Sequence, residues 1–349
     1  MFKNKENYKE YLEKQKVEIS YLDESNYFQH SENGEIILKK QDCNVSSIDV
    51  ERYTNCINWI LLKDKKTMAL LKRPFGDIYR QLTKEQYNIA LYNNILLPQI
   101  AKQFQNKSAM YYIVKGNRLS NNLKHILTID FKETNEELIH GEDILEEAGG
   151  DINELDIKTI ISYINKYLQG IGAKTQDIDT IQKEFIKQSF YNRFVKQSDE
   201  NNHNWGILVN NQENRARIAP IYDLDCCCEV GTLRKNVRTT SDGSKYNIEG
   251  FFKDFGKYRW FNMYTKEIIE DFDINKAIKN SKSETGIDIP QEVKEYYKTF
   301  FGERYYELKS AYQEYLEKGT SEEKEENQAS VVLQLMWNKK YRKKVIQVV

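Results

Sequence analysis

Two strand-length runs separated by an asparagine-rich turn constrain the fold of this chain more than any other feature. The runs are WGILV (Trp205–Val209) and RARIA (Arg215–Ala219), and the turn between them is NNQEN. This pattern is typical of an antiparallel β-hairpin. Because a hairpin brings its two open ends together, we expect Asn204, just before the first strand, to approach Asp223, just after the second.

A further acidic residue precedes the hairpin. Asp199 lies five residues before Asn204, and we expect it to enter from the end of a helix across a loop rich in amides. Carboxylate and amide oxygens are the ligands that Mg²⁺ prefers. The protein kinase catalytic loop has the same order: an Asp, then four residues, then an Asn, with a second metal-binding Asp later in the chain. The spacing predicts phosphoryl transfer from ATP, with Asp199 as the base and Asn204 and Asp223 holding Mg²⁺; a surface loop of Asx turns is the alternative.

Phosphoryl transfer of this kind also needs a lysine on a strand and an acidic partner on a helix. The apolar runs CINWILL and TMALLK predict two strands, the second ending at Lys72. A helical spacing follows over Thr83–Phe104, with Thr83 as the cap and Glu85 in the first turn. We therefore predict that Lys72 anchors the ATP phosphates and forms an ion pair with Glu85. Pro98 is expected to end or kink this helix.

The periodicity of the chain changes from strand-like to helical along its length. Two further runs, AMYYIV and KHILTIDF, predict strands after the first helix. The pattern indicates an α+β fold of two lobes: a small, mixed, β-rich lobe over residues 1–132 and a larger, mostly helical lobe over 133–349. A cleft between two such lobes is a common ligand site. The helices expected in the second lobe cover 157–170, 176–197, 262–282 and 290–317, with a final helix after Gly319.

Composition excludes several classes of protein. The formal net charge of −1 argues against broad attraction to nucleic acids, and no apolar run is long enough to span a membrane. Three of the five cysteines are consecutive, Cys226–Cys228, which suits buried thiols in a reducing compartment better than disulfides. The amino terminus has no apolar core of a signal peptide. We expect a cytoplasmic protein without a direct nucleic-acid partner; export to a host cell stays open.

The stretches FYNRFVKQSDENNHNWGILV and IAPIYDLD resemble the HipA-like kinase family, a bacterial branch of the protein-kinase-like fold. That family carries an Asp-Arg-His-x-x-Asn loop, a hairpin and a Pro-x-Tyr-Asp element. Asp199 and Asn204 keep the spacing of the loop, and Pro220, Tyr222 and Asp223 match the second element. The Arg-His pair is replaced here by Glu-Asn, and no glycine-rich phosphate loop precedes the strand lysine.

The resemblance implies a two-lobed protein-kinase-like fold and an ATP- and Mg²⁺-dependent kinase that phosphorylates Ser or Thr of a protein substrate. It also implies that ILTIDF is the hinge strand, with the hinge near 126–132, so that Ile129, Asp130 and Phe131 contact adenine. An antitoxin or another regulatory protein is a partner that it leaves open. A structural role is expected for His203, the histidine nearest to Asp199.

Two other functions remain open at this stage. The altered loop and the missing glycine motif are compatible with a pseudokinase or a toxin-like scaffold that binds proteins without turnover. A lipid or small-molecule kinase would use a similar arrangement of residues, although the lack of a broad basic surface disfavours an anionic membrane substrate.

Overall fold

The structure is a computed structural model, and it describes residues 21–22, 29–30, 36–38, 57–62, 68–72, 82–116, 124–133, 135–230 and 237–318. The final helix expected after Gly319 lies outside these residues. None of the helices within them is both long and apolar enough to cross a lipid bilayer.

The strands before residue 130 form a seven-stranded sheet, in the order β1-β4-β5-β7-β6-β3-β2. Pairing is antiparallel from β4 through β5 and β7 to β6, whereas β1 joins β4 and β3 joins β6 in parallel. The apolar runs that predicted strands are confirmed at its centre. The strands are β1 (Tyr21–Leu22), β2 (Gln29–His30), β3 (Ile36–Leu38), β4 (Ile57–Leu62), β5 (Met68–Lys72), β6 (Tyr111–Gly116) and β7 (His125–Ile129).

Helix α1 (Lys84–Gln103) connects β5 to β6. Thr83 caps it as predicted, in a capping box with Gln86. Of the two effects expected of Pro98, an end or a kink, the structure excludes the end, because α1 continues through the proline to Gln103. Leu97 and Ile100 on either side of the proline are fully buried, so packing offsets the hydrogen bond that the proline removes.

The predicted hairpin is confirmed and belongs to a second sheet of three antiparallel strands, in the order β10-β9-β8. These are β8 (Glu136–His140), β9 (Gly206–Asn210) and β10 (Arg215–Ile218). Strand β8 was not predicted, because its residues EELIH are mostly polar. Gly206 opens β9 because a Cβ atom there would lie 2.4 Å from the carbonyl oxygen of Ile139 on β8.

Helices dominate the chain after β8, as predicted for the second lobe. The predicted helix over 262–282 is two helices, because Asp273 accepts hydrogen bonds from the amides of Asn275 and Lys276 and starts a new one. The helices are α2 (Gly141–Glu147), α3 (Ile157–Gly170), α4 (Thr175–Phe194), α5 (Glu249–Phe255), α6 (Arg259–Asp271), α7 (Ile274–Thr285) and α8 (Gln291–Lys318).

A cluster of buried phenylalanines joins α1 to the helical lobe. The ring centroid of Phe104, just after α1, is 4.7 Å from Phe194 and 6.1 Å from Phe190 on α4. Phe190 in turn lies 5.2 Å from both Phe251 and Phe261. All five side chains are fully buried, so this core fixes the end of α4, from which the Asp199 region continues.

Candidate active site

The open ends of the hairpin converge. The hydroxyl of Tyr222, which follows β10, donates a 3.0 Å hydrogen bond to the carbonyl oxygen of His203, which precedes β9. The side-chain nitrogen of Asn204 donates to the carbonyl oxygen of Asp199 at 2.7 Å. Asn204 is thereby bonded to the loop that carries Asp199, and its neighbour His203 is bonded to the residue before Asp223.

Gln197 connects the two acidic loops directly. Its side-chain oxygen accepts from the amide of Asp199 at 3.1 Å, and its side-chain nitrogen donates to the carbonyl oxygen of Asp223 at 2.8 Å. The amide of Ser198 also donates to the carbonyl oxygen of Cys226 at 2.9 Å. The two loops are therefore held next to each other by hydrogen bonds to their backbone groups. Gln197 was not predicted, since an isolated glutamine carries no motif.

Asp199 is half-buried, and its carboxylate is oriented within its own loop. Oδ1 accepts a 2.9 Å hydrogen bond from the side chain of Asn201, whose oxygen accepts from the amide of His203. These Asx-type contacts restrict the rotation of Asp199 relative to Asn204.

Lys72, at the end of β5, contacts two carboxylates. Its Nζ atom lies 2.5 Å from Oδ1 of Asp223 and 3.1 Å from Oδ2 of Asp225. The lysine side chain is 12 % exposed and that of Asp225 only 4 %, whereas Asp223 is 36 % exposed. Burial lowers the pKa of Lys72, but the two carboxylates outweigh burial and raise that pKa well above its ordinary value.

Asp225 is a residue of this site that the sequence analysis did not assign. Besides contacting Lys72, it accepts a 2.7 Å hydrogen bond from the side chain of Asn94 on α1. The neighbouring Asn93 donates to the carbonyl oxygen of Cys227 at 3.0 Å. The second aspartate of YDLD, two residues after Asp223, was the pattern that could have identified it.

Glu85 does not form the predicted ion pair with Lys72 in this structure. It is exposed in the first turn of α1, whereas the residues of α1 that face the Asp223 loop lie about two turns further on, at Asn93 and Asn94. The ammonium group of Lys72, which was predicted to pair with Glu85, contacts Asp223 and Asp225 instead.

Asp223 has a backbone conformation that non-glycine residues rarely adopt. Its φ is 59°, in the left-handed region. Its amide donates a 3.1 Å hydrogen bond to the hydroxyl of Tyr111 on β6, and its carbonyl accepts from Gln197. Such strain persists where surrounding contacts fix the backbone, and here those contacts aim the carboxylate at Lys72.

The three residues predicted to contact adenine lie at the end of β7 in the first sheet. Ile129 is the last residue of that strand, and Asp130 and Phe131 follow it directly. The amide of Ile129, the last residue of β7, donates to the carbonyl oxygen of Met110 at 3.2 Å. Asp130 accepts from the amide of Lys132 at 3.1 Å. The ring of Phe131 stacks on Tyr222 at 5.7 Å between centroids, so it lies beside the residue that precedes Asp223.

The histidine of the Asp199 loop makes contacts with α2 and β8. Nδ1 of His203 lies 3.0 Å from Oε2 of Glu142. The carbonyl oxygen of His203 is 3.0 Å from Nδ1 of His140, which also lies 3.2 Å from the Tyr222 hydroxyl. Burial lowers the pKa of His140, a shift that the His203 carbonyl partly opposes. These contacts are those of a residue that anchors the loop.

The three consecutive cysteines are buried behind the Asp223 loop and form no disulfide. Burial raises the pKa of Cys227 and of Cys228 well above the ordinary thiol value. Their thiols therefore have the character of small core residues rather than of nucleophiles.

Carboxylate oxygens of the kind that magnesium prefers lie around Lys72. Asp223 and Asp225 supply them, and the side chain of Asn204, whose nitrogen donates to the carbonyl oxygen of Asp199, carries a further oxygen at the start of the hairpin. The contact with Lys72 shows that both carboxylates face a cation. Within the described part of the chain, no three His, Cys, Asp or Glu side chains are grouped so that they could hold a metal ion.

A solved kinase structure shares this fold. The Helicobacter pylori proinflammatory kinase CtkA matches with a TM-score of 0.56 and 14 % sequence identity, over 76 % of this chain and 98 % of that chain. A chain of the Shewanella oneidensis MR-1 toxin–antitoxin complex of HipA, HipB and operator DNA matches with a TM-score of 0.44 and 13 % identity, over 72 % and 58 %. No protein-family model and no curated protein matches the sequence. The match with CtkA shows that this chain shares the fold of that kinase.

Proposed function

We propose that this protein is an ATP- and Mg²⁺-dependent kinase that transfers the γ-phosphate to a Ser or Thr hydroxyl of a protein. The observation that carries the proposal is the contact of Lys72 with Asp223 and Asp225. It joins the end of the sheet to the loop after the hairpin, beside Asp199. A strand lysine next to metal-binding carboxylates and a potential base is the arrangement that phosphoryl transfer requires.

Each residue has one task in this proposal. Asp199 orients the acceptor hydroxyl and takes its proton on a carboxylate oxygen. Lys72 binds the α- and β-phosphates, and Asn204 and Asp223 hold the metal. Bound Mg²⁺ would supply positive charge that neutralises the phosphates.

Other residues position these groups. Ile129, Asp130 and Phe131 line the end of the first sheet where adenine would bind, and Asp225 supports Lys72. The exposed Glu85 would pair with Lys72 only if nucleotide binding moved β5 and α1 relative to each other. We therefore assign Glu85 no part in the contacts of Lys72.

The direct test is to incubate the purified protein with ATP and Mg²⁺ and to locate phosphorylated residues by mass spectrometry, with and without a cell lysate. We expect autophosphorylation or a phosphorylated protein on Ser or Thr, both abolished by a chelator. In parallel, ATP should raise the melting temperature only when Mg²⁺ is present. ATP binding without transfer would favour the pseudokinase, and a protein that neither binds ATP nor transfers phosphate would favour the scaffold.

A further inference from the structure

A buried charge lies immediately beside Asp199. Glu200, the next residue, is 1 % exposed, and so is Arg238, which follows the Asp223 loop along the chain. Nε of Arg238 is 3.3 Å from Oε1 of Glu200. The side-chain nitrogen of Asn192 on α4 donates to the same glutamate oxygen at 3.1 Å. Glu200 is therefore held from two directions, by α4 and by the segment around Arg238.

The partner arginine also contacts the far end of the Asp199 loop. Its guanidinium carbon lies 5.0 Å from the ring centroid of Phe185 and 5.9 Å from that of Trp205, and a terminal nitrogen donates to Ser189 at 2.9 Å. The indole nitrogen of Trp205 donates to Asn202 within the loop at 2.9 Å. Arg238 thus contacts residues at both ends of the stretch from Glu200 to Trp205.

Stability alone is a poor explanation for this pair. Moving two charges out of water costs more than the attraction between them usually returns, and apolar residues of similar volume often pack as well. Burial raises the pKa of Glu200, a shift that Arg238 and Arg193 oppose. What the pair provides that apolar residues would not is a directional contact on the residue next to Asp199.

We propose that Glu200 and Arg238 are positioning residues, which fix the loop from Asp199 to Trp205 so that the Asp199 carboxylate keeps the orientation needed for proton transfer. The proposal rests on the function proposed above. Neither residue touches substrate in this account; both act through the backbone of Asp199. The pair also links the Asp199 loop to the segment that follows Asp223, because Arg238 belongs to that segment.

The test compares Glu200→Gln, Arg238→Met and the double variant. Each single variant leaves one buried charge without its partner, whereas the double variant removes both charges, so it should regain most of the lost stability against urea. If the pair positions Asp199, kcat should fall about tenfold to a hundredfold in all three variants, with the KM for ATP nearly unchanged. Recovery of kcat together with stability in the double variant would show a purely structural pair, as would single variants with the parent kcat.

Asp254→Asn is the matched control. Asp254 is 3 % exposed, lies 2.5 Å from Nζ of Lys158 and accepts from the amide of Ser241, and both of these partners lie outside the Asp199 loop. This variant should lose stability and keep the parent kcat. A loss of kcat equal to that of the double variant would contradict a specific role for Glu200 and Arg238.

Amide hydrogen exchange separates this inference from the proposed function. In the double variant, the amides of residues 199–205 should exchange on the order of tenfold faster than in the parent, while those of β9 and α3 stay unchanged. Unchanged exchange in the loop would overturn the positioning role whether or not the protein transfers phosphate. A parent protein that transfers no phosphate would instead refute the proposed function, and the exchange data would still decide whether the pair fixes the loop.

Discussion

At the scale of single residues, Lys72 determines the electrostatics of the site. Its ammonium group neutralises two aspartates, one of them nearly inaccessible to water. Mg²⁺ would compete for these same carboxylates, so nucleotide and metal binding would free the lysine to contact phosphates. The Lys72 contacts therefore avoid leaving two adjacent carboxylates without a cation, which would be costly in a partly buried site.

Replacing Lys72 should make stability depend more strongly on Mg²⁺. We expect Lys72→Met to lower the free energy of unfolding by about 3 kcal/mol, because Asp225 stays buried without its cation. Mg²⁺ should then raise the melting temperature of the variant more than that of the parent, as measured by thermal denaturation. Lys72→Arg, which keeps the charge, is the control. An equal response to Mg²⁺ in parent and variant would contradict the account.

His140 should contribute a measurable pH dependence. Burial holds its folded-state pKa below the unfolded value of about 6.5, so the unfolded chain binds the proton more readily. Its contribution to stability is therefore present above pH ~6.5 and is lost as the pH falls towards the folded-state pKa. Urea unfolding from about pH 7.5 to about pH 5 should show a steeper loss in the parent than in His140→Gln, by no more than about 1.4 kcal/mol per pH unit. Parallel curves would contradict this assignment.

At the scale of elements, caps and turns decide where helices begin. Asp273 separates α6 from α7 by accepting from two amides of the new helix. Asp273→Ala should lower stability by about 1 kcal/mol, whereas Asp273→Asn should stay close to the parent because asparagine also caps helices. Phosphate transfer should be unaffected by either change. If the Asp273→Ala variant proved as stable as the parent in urea, α7 would begin there because of packing and not because of its cap.

Most elements were predictable from local patterns, and the exceptions have physical causes. The strands around Lys72 and the hairpin follow from apolar runs and turn residues, and helix α3 from its apolar period. The polar strand β8 was missed because it is stabilised by pairing with β9, a contact that the residues EELIH do not encode locally. The helix also continues through Pro98 because of tertiary contacts, since the burial of α1 outweighs the tendency of proline to end a helix.

The candidate site was predictable only in part. The hairpin correctly brought the neighbours of Asn204 and Asp223 together. That Glu85 does not pair with Lys72 was not predictable, because sequence position says nothing of which turn of α1 faces the Asp223 loop. Asn94 and Asp225 meet only after tertiary packing, whereas Glu85 was chosen for its place in the first turn.

At the scale of the whole molecule, α1 is bonded to the helical lobe although it lies between two strands of the sheet in the chain. Tyr191 and Tyr297 donate hydrogen bonds to the carbonyl oxygens of Leu97 and Ile89 on α1, each at 3.0 Å. Asn93 and Asn94 extend the same contact to the Asp223 loop. The helix that we assigned to the amino-terminal lobe therefore connects both lobes and supports the predicted metal-binding loop.

The central claim is that Asp199 acts in chemistry while Asp223 acts in metal binding. One measurement tests it directly: phosphate transfer and Mg²⁺-dependent ATP binding, determined side by side for Asp199→Ala and Asp223→Asn. Asp199→Ala should bind ATP within a few-fold of the parent yet transfer phosphate roughly a hundredfold more slowly, since only the base is lost. Asp223→Asn should stay folded and lose the Mg²⁺-dependent stabilisation by ATP. Full transfer activity in either variant would contradict the account.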